Sequence, residues 1–147
     1  MALNLSDPFQ IIEPTVISFS GGRTSAYMLW RVLQSNNGKL PKDAIVCFAN
    51  TGKEMEETLE FVRDCEANWN VPIVWLEYTT HKTPKKRFKV VNFETASRDG
   101  EPFAMSIDQN GKPYLPNPVA RICTINLKIR VINHYCKSIG WKHNENM

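Results

Sequence analysis

The hydrophobic and polar positions of this 147-residue chain follow two different periods that alternate along its first half. Three short apolar runs rich in β-branched residues stand out: TVISF at 15–19, AIVCFA at 44–49 and PIVWLEY at 72–78. Continuous runs of this kind are typical of strands buried on both faces. Because helical spacing separates them, the order is βαβαβ, which predicts an α/β fold whose parallel sheet has right-handed crossovers.

Apolar residues at intervals of three and four predict three helices. Their predicted buried faces are Ala26, Leu29, Trp30 and Leu33; Met55, Leu59, Val62 and Trp69; and Ile125, Ile129 and Ile132. Gly140 is expected to end the third helix, since a glycine just past the last apolar position commonly forms a C-terminal cap.

The segment between the third strand and the third helix has a weaker pattern. Residues 79–119 contain Asn-Gly and several prolines, which favour turns, although KVVNFETAS at 89–97 is compatible with a strand. We therefore expect one domain over 1–147 with a loop-rich insertion at about 79–119.

Composition narrows the class of protein. With 42% hydrophobic and 22% charged residues, the chain is neither disordered nor fibrous. No apolar run approaches the roughly 20 residues of a membrane span, and the N-terminus lacks a signal-peptide pattern, so we expect a cytoplasmic protein without membrane contact. Cys47, Cys65, Cys123 and Cys136 show no CxxC spacing, so we expect reduced thiols, no zinc site and no iron–sulfur cluster.

The candidate chemistry begins where the first strand meets the first helix. Ser20, Gly21, Gly22, Arg23, Thr24 and Ser25 occupy this turn. Ligands of open parallel sheets bind beyond the carboxyl ends of the strands. Glycines allow close approach of the backbone, and the N–H groups at a helix start attract anions. Phosphate binding is the functional interpretation, and a tight turn capped by a serine is the structural alternative.

Three segments together resemble a known family. SFSGGRTSAYML resembles the PP-loop, SGGxxS, of the adenine-nucleotide alpha-hydrolase superfamily, which includes the N-type ATP pyrophosphatases. FANTGKEMEETLEFV is similar to the segment after the second strand of phosphoadenosine phosphosulfate (PAPS) reductases, and RICTINLKI to their late basic segment. The resemblance covers most of the chain, implies a Rossmann-like parallel sheet sandwiched by helices, and permits a short phage-encoded member.

The resemblance also implies roles for individual residues. Ser20 to Ser25 would hold the phosphate or sulfate end of an adenine nucleotide, either ATP or PAPS/APS. Asn50, Thr51, Gly52 and Glu54 would lie beside the nucleotide, and Arg121, Cys123, Thr124 and Lys128 match the late segment, whose basic residues face the anionic end. For Glu54 the alternative is favourable interaction with a helix dipole, and for Lys128 it is a solvated lysine.

Two departures from the family pattern bear on chemistry. Thr24 and Asn50 stand where aspartates are frequent, which weakens the case for tight binding of Mg²⁺ but leaves Mg²⁺ open as a cofactor. True PAPS reductases have a C-terminal catalytic cysteine, whereas no cysteine follows Cys136 here. Cys123 is an alternative nucleophile, because nearby Arg121 and Lys128 would favour its thiolate.

These observations leave three functions open. The first is an enzyme acting at the α-phosphate or sulfonyl group of the nucleotide, and the second is a non-catalytic nucleotide-binding or sequestering protein. The third is a nucleic-acid-modifying partner that uses the basic run HKTPKKRFK, with Lys82, Lys85, Lys86, Arg87 and Lys89; its structural alternative is a solvated loop. The sequence does not specify an oligomer.

Overall fold

The computed structural model describes residues 7–52, 54–102, 104–105, 125–141 and 145–146. The strands are β1 Thr15–Ser18, β2 Ala44–Asn50, β3 Ile73–Glu77, β4 Lys89–Val91 and β5 Glu145–Asn146. The helices are α1 Arg23–Ser35, α2 Glu56–Trp69 and α3 Arg130–Ser138; a π-helical segment, Ile125–Ile129, leads into α3, and a short 3₁₀ turn spans Pro84–Lys86.

The strands form one mixed sheet in the order β4-β3-β2-β1-β5. The pairs β1–β2 and β2–β3 are parallel, as predicted. The short strand β5, which the sequence did not predict, is also parallel to β1, whereas β4 runs antiparallel to β3. The expectation of a wholly parallel sheet is therefore wrong at this edge. A parallel neighbour needs a long crossover, usually a helix, whereas residues 78–88 form only a loop with one 3₁₀ turn and return the chain alongside β3.

Helices cover both faces of the sheet, and each face has its own hydrophobic core. On one face, α1 and α2 pack against side chains such as Ile17, Phe48 and Trp75. On the other face, Leu127 and the buried side of α3 pack against Val16, Cys47 and Leu76 and their neighbours. The continuous apolar runs of β1, β2 and β3 are explained by this two-sided burial. Within the described ranges, no helix combines the length and apolar character needed to cross a membrane.

The predicted helix faces are correct at their centres and wrong at their margins. Trp30, Met55 and Ile129 are 42%, 68% and 51% exposed, whereas they were predicted to be buried. Met55 and Ile129 lie just before α2 and α3, and the core is filled instead by Val32 on α1, Cys65 on α2, and Val131 and Cys136 on α3. Trp69 lies at the edge of the core and is half-buried.

Gly140 ends α3 as predicted. Its φ of +72° reverses the chain, and its N–H donates to the carbonyl of Lys137 while the N–H of Trp141 donates to that of Cys136. This pair of hydrogen bonds is a Schellman cap.

Candidate functional site

The turn between β1 and α1 lies where the order of the strands reverses. From β1 the chain proceeds through β2 to β3 on one side, while β5 lies on the opposite side of β1. Helices α1 and α2 cover one face of the sheet, and α3, which precedes β5, covers the other. The crossovers therefore diverge at the carboxyl end of β1, and residues 20–25 follow directly from that end.

The two glycines of this turn differ in what requires them. Gly21 has a φ of +83°, and a Cβ there would lie 2.8 Å from the Thr58 side chain and 3.1 Å from that of Val62. Gly22 has a φ of −93°, which any residue can adopt, and a Cβ there would meet only the Ser20 hydroxyl, at 3.5 Å. The fold thus requires glycine at position 21 for packing against α2, and it places no such requirement on position 22.

The two serines of the turn form a small hydroxyl cluster. Their hydroxyls are hydrogen bonded to each other at 2.8 Å. The Ser25 hydroxyl accepts from the N–H of Ser20 at 3.1 Å and donates to the carbonyl of Gly22 at 3.2 Å. The N–H of Gly22 donates to Ser20 Oγ at 3.3 Å. The cluster sets the shape of the loop with groups that are themselves exposed to solvent or partly so.

The start of α1 is open to a ligand. Gly22 is the N-terminal cap, and no side chain caps the helix. Arg23 and Thr24 are exposed, and in the described part of the chain no carboxylate lies within ion-pair distance of Arg23. The first N–H groups of a helix have no partner within it, and they carry the positive end of the helix dipole. The helix start, the hydroxyls and the guanidinium together suit an anion.

The neighbouring turn, after β2, is built differently. Asn50 is fully buried, and its side-chain amide donates to Glu77 Oε2 at 2.7 Å and to the carbonyl of Ser97 at 2.9 Å. Its Oδ1 accepts from the N–H of Gly52 at 3.1 Å. Both N–H bonds of this amide are thus used inside the protein, so the Asn50 side chain braces the turn and presents no donor to a ligand.

A buried carboxylate, which the sequence analysis did not single out, organises this region. Glu77 ends β3 with no exposed surface, and it accepts hydrogen bonds from the N–H and, at 2.9 Å, the hydroxyl of Ser97. The Lys89 ammonium lies 3.9 Å from Glu77 Oε1. We name this cluster, which consists of Asn50, Glu77, Lys89 and Ser97, the Glu77 clamp. Its one sequence signal was a charged residue at the end of an otherwise apolar strand.

The clamp holds residues 96–100 over the carboxyl ends of β2 and β3. Gly52 and Gly100 both have positive φ, and a Cβ on Gly52 would lie 2.9 Å from the Cα of Gly100. Arg98 Nε donates to Glu56 on α2 at 2.8 Å, and this pairing lowers the pKa of the Glu56 carboxyl. Residues 96–100, in the middle of the predicted insertion, are therefore packed against the strand ends.

The remaining predicted site residues have varied surroundings. Thr51 is buried, and its hydroxyl lies 3.4 Å from Oε1 of the half-buried Glu54, which precedes α2. Lys128 is half-buried on the π-helical segment. This segment leads into α3. Because β5 is parallel to β1, α3 must carry the chain from the carboxyl edge of the sheet back to the amino edge, so the segment lies near the carboxyl edge. Arg121, Cys123 and Thr124 lie outside the described residues.

The described cysteines are buried free thiols. Contact with the Cys136 thiol, together with burial, raises the pKa of Cys47 far above its usual value, and burial raises the pKa of Cys65. Neither is suited to act as a nucleophile. Among the described residues, no three His, Cys, Asp or Glu side chains converge as metal ligands, and use of Mg²⁺ stays a prediction.

The predicted basic residues lie on the loop after β3 and on β4. Lys82, Lys85 and Lys86 are exposed, and Arg87 is half-buried with its Nε donating to the carbonyl of His81 at 3.0 Å. Lys89 differs from the others because it pairs with Glu77.

Comparison with known proteins finds two informative relatives. The chain is 31% identical over 126 residues to an uncharacterized nin region protein, ORF290, of Escherichia phage lambda; the match covers 82% of this chain and 42% of that protein. It is 39% identical over 67 residues to an uncharacterized protein of Methanocaldococcus jannaschii, over 46% of this chain and 13% of that protein. The chain thus spans less than half the length of either relative. No protein-family model matches it, and no solved structure matches it.

Proposed function

We propose that this chain binds an adenine nucleotide, with the phosphate or sulfate end on residues 20–25, as a PAPS reductase-like member of the PP-loop superfamily with a Rossmann-like fold. The sequence resemblance suggests the nucleotide. The position of the turn agrees with this, because α/β proteins bind ligands at the carboxyl ends of strands where the strand order reverses. A lambda phage relative is compatible with a phage-encoded member.

The observation that carries the proposal is the open start of α1 at Gly22. This glycine caps the helix without a side-chain hydrogen bond, in a conformation and a space that would accept a larger residue. A ligand whose oxygens approach the backbone N–H groups gives a reason for the missing side chain, since a Cβ would stand in their path. The exposed Arg23 beside it adds a charge-assisted donor.

If the bound nucleotide reacts, we propose attack by a second substrate either at the α-phosphate of ATP, which releases pyrophosphate, or at the sulfonyl group of PAPS, which releases adenosine 3′,5′-bisphosphate. The helix N–H groups and Arg23 would stabilise the negative charge that develops there. The buried thiols Cys47 and Cys65 have no part in this step, since their raised pKa values keep them protonated. The alternative is a protein that binds or sequesters the nucleotide without turnover. Saturable binding without product, measured by chromatography of the nucleotide after incubation, would favour that alternative.

The test is to remove the guanidinium of Arg23 and to measure binding by calorimetry. Arg23→Ala should weaken binding of PAPS and of ATP by about 1.5–3 kcal/mol, because a hydrogen bond to a charged group contributes that much, and should leave adenosine nearly unchanged. Lys39→Ala, which removes an exposed cation from the loop before β2, should change neither. Equal losses for PAPS and adenosine, or no loss for either, would exclude anion binding by Arg23.

A further inference from the structure

Two segments far apart in sequence concentrate the positive charge of the chain. Residues 78–92 and 125–141 contain eight of the 18 lysines and arginines and none of the 15 aspartates and glutamates. Residues 54–66, at the start and along the length of α2, contain six acidic residues and one arginine. Because α2 and α3 cover opposite faces of the sheet, the two faces differ in charge.

The fold brings the two basic segments together. The rings of Phe88, on the loop after β3, and Tyr135, on α3, pack edge to face with their centroids 6.1 Å apart. His134 on α3 responds to both sets of cations: burial lowers its pKa, and so do Lys137 and Arg130 of its own helix and Lys85 and Arg87 of the loop. We name this region, with Lys82, Lys85, Lys86, Arg87, Arg130 and Lys137, the basic surface.

The four lysines of this surface lack a carboxylate partner in the part of the chain that the structure describes. In the described ranges, no carboxylate lies within ion-pair distance of Lys82, Lys85, Lys86 or Lys137. The loop nevertheless has a defined path, since the N–H of Thr83 donates to Nδ1 of His81 at 2.9 Å and Arg87 donates to the His81 carbonyl. Uncompensated cations held on an ordered loop are suited to a partner with repeated negative charge.

We propose that the basic surface binds single-stranded nucleic acid. The lysines would contact phosphates, and the half-buried rings of Phe88 and Tyr135 would offer a face or edge to an unpaired base. Cations interleaved with aromatic rings are the usual construction of single-strand sites, because every base can stack and every linkage is charged. A duplex hides the faces of its bases, so it would not use the rings, and an acidic polypeptide is the alternative that the competition below tests. This surface is distinct from residues 20–25 and its proposal does not rest on nucleotide binding there.

The test is fluorescence anisotropy with a labelled 12-nucleotide oligothymidine at several salt concentrations. Lys85→Ala with Lys86→Ala should weaken binding about tenfold at low salt and reduce the slope of log K against log salt by about 1.4, since each phosphate contact to a single strand contributes roughly 0.7. The matched control is Lys39→Ala with Lys42→Ala, which removes two exposed cations from the loop before β2 and should alter neither quantity.

The contribution of the rings is tested by changing the ligand as well as the protein. Wild-type protein should bind oligothymidine at least fivefold more tightly than an abasic strand of equal length and charge. Tyr135→Phe should keep this preference and Tyr135→Leu should lose it, with thermal denaturation checking that each variant is folded. If Tyr135→Leu does not fold, the abasic comparison on the wild type decides alone.

Four outcomes would overturn the proposal. They are the absence of binding at low salt, equal affinity for the abasic strand, tighter binding of a 12-base-pair duplex, and binding of polyglutamate as tight as that of oligothymidine. An equal effect of the Lys39 and Lys42 changes would also contradict it, because the site would then not be the basic surface.

Discussion

The turns after β1 and β2 lie side by side at the same edge of the sheet, and the same sequence resemblance predicts that both meet a nucleotide. They are built in opposite ways. Residues 20–25 are largely exposed, and Gly22, the N-cap of the helix that begins there, makes no side-chain hydrogen bond. Residues 50–52 are buried, and the Asn50 amide is saturated by partners from three segments of the chain.

The difference shows that a motif can contain two kinds of position. In the first turn the first N–H groups of α1 and the exposed Arg23 guanidinium are available to a ligand. In the second turn the polar side chain of Asn50 fixes the backbone of the turn and, through the Glu77 clamp, the segment above it. Changes in the second turn should therefore affect folding first, and changes in the first turn should affect binding first.

The sharpest test uses the two positions where aspartate is frequent in the family that the chain resembles. Asn50→Asp should lower the free energy of unfolding by about 3–5 kcal/mol, because it removes two N–H donors and sets a second buried carboxylate against Glu77. Thr24→Asp, in the exposed first turn of α1, should change it by less than about 1 kcal/mol, since a negative charge there favours the helix dipole. Urea denaturation measures both, and equal effects would contradict the distinction.

The two glycines of the first turn give the next largest effect. Gly21→Ala should destabilise the protein by about 2–4 kcal/mol, because alanine disfavours the left-handed backbone and its methyl group would meet Thr58. Gly22→Ala should change stability by no more than about 1 kcal/mol, as expected at a helix N-cap. Of the two variants, only Gly22→Ala should remain folded, as checked by thermal denaturation, and bind PAPS or ATP more weakly, as measured by calorimetry. If the Gly22→Ala protein binds these nucleotides normally, ligand binding is not the reason for a glycine at position 22.

The smallest expected effect is that of a hydroxyl. Ser25→Ala removes one acceptor and one donor from the turn and should weaken binding of an anionic nucleotide by about 0.5–1.5 kcal/mol, with adenosine unaffected. Ser138→Ala, which removes an exposed hydroxyl that donates to the Tyr135 carbonyl at the far end of α3, is the control for binding. A purely structural role for Ser25 would lower thermal stability without any preference between the two ligands.

The sequence predicts the elements of this fold better than it predicts what joins them. The runs at 15–19, 44–49 and 72–78 became strands because two-sided burial leaves a continuous apolar pattern that is local. The antiparallel direction of β4 depends on the short connection from β3 and on the position of β4 at the edge of the sheet. Neither feature leaves a periodic pattern in the sequence. Trp30 was misjudged because helical spacing defines a face only within about one residue, and Val32 fits the core beside Leu33.

The same distinction between local patterns and long-range contacts applies to the candidate site. Residues 20–25 could be located because a glycine turn between a strand and a helix is a local pattern, and the structure places that turn at the strand ends. The Glu77 clamp could not, since Asn50 and Ser97 lie 27 and 20 residues from Glu77 and their hydrogen bonds are made only after the sheet has formed. The nucleotide and its reaction stay predictions.

If the basic surface binds nucleic acid as proposed, His134 would couple that binding to the uptake of a proton. Burial and four neighbouring cations hold its pKa below the usual value of 6.5, so the free protein carries this imidazole in its neutral form near pH 7. A phosphate chain laid over the surface would offset the repulsion of those cations and raise that pKa, and a group whose pKa rises on binding takes up a proton. Affinity for oligothymidine should therefore increase as the pH falls through the range in which His134 titrates. Calorimetry in two buffers of different ionisation enthalpy would measure the uptake, and His134→Gln should abolish it.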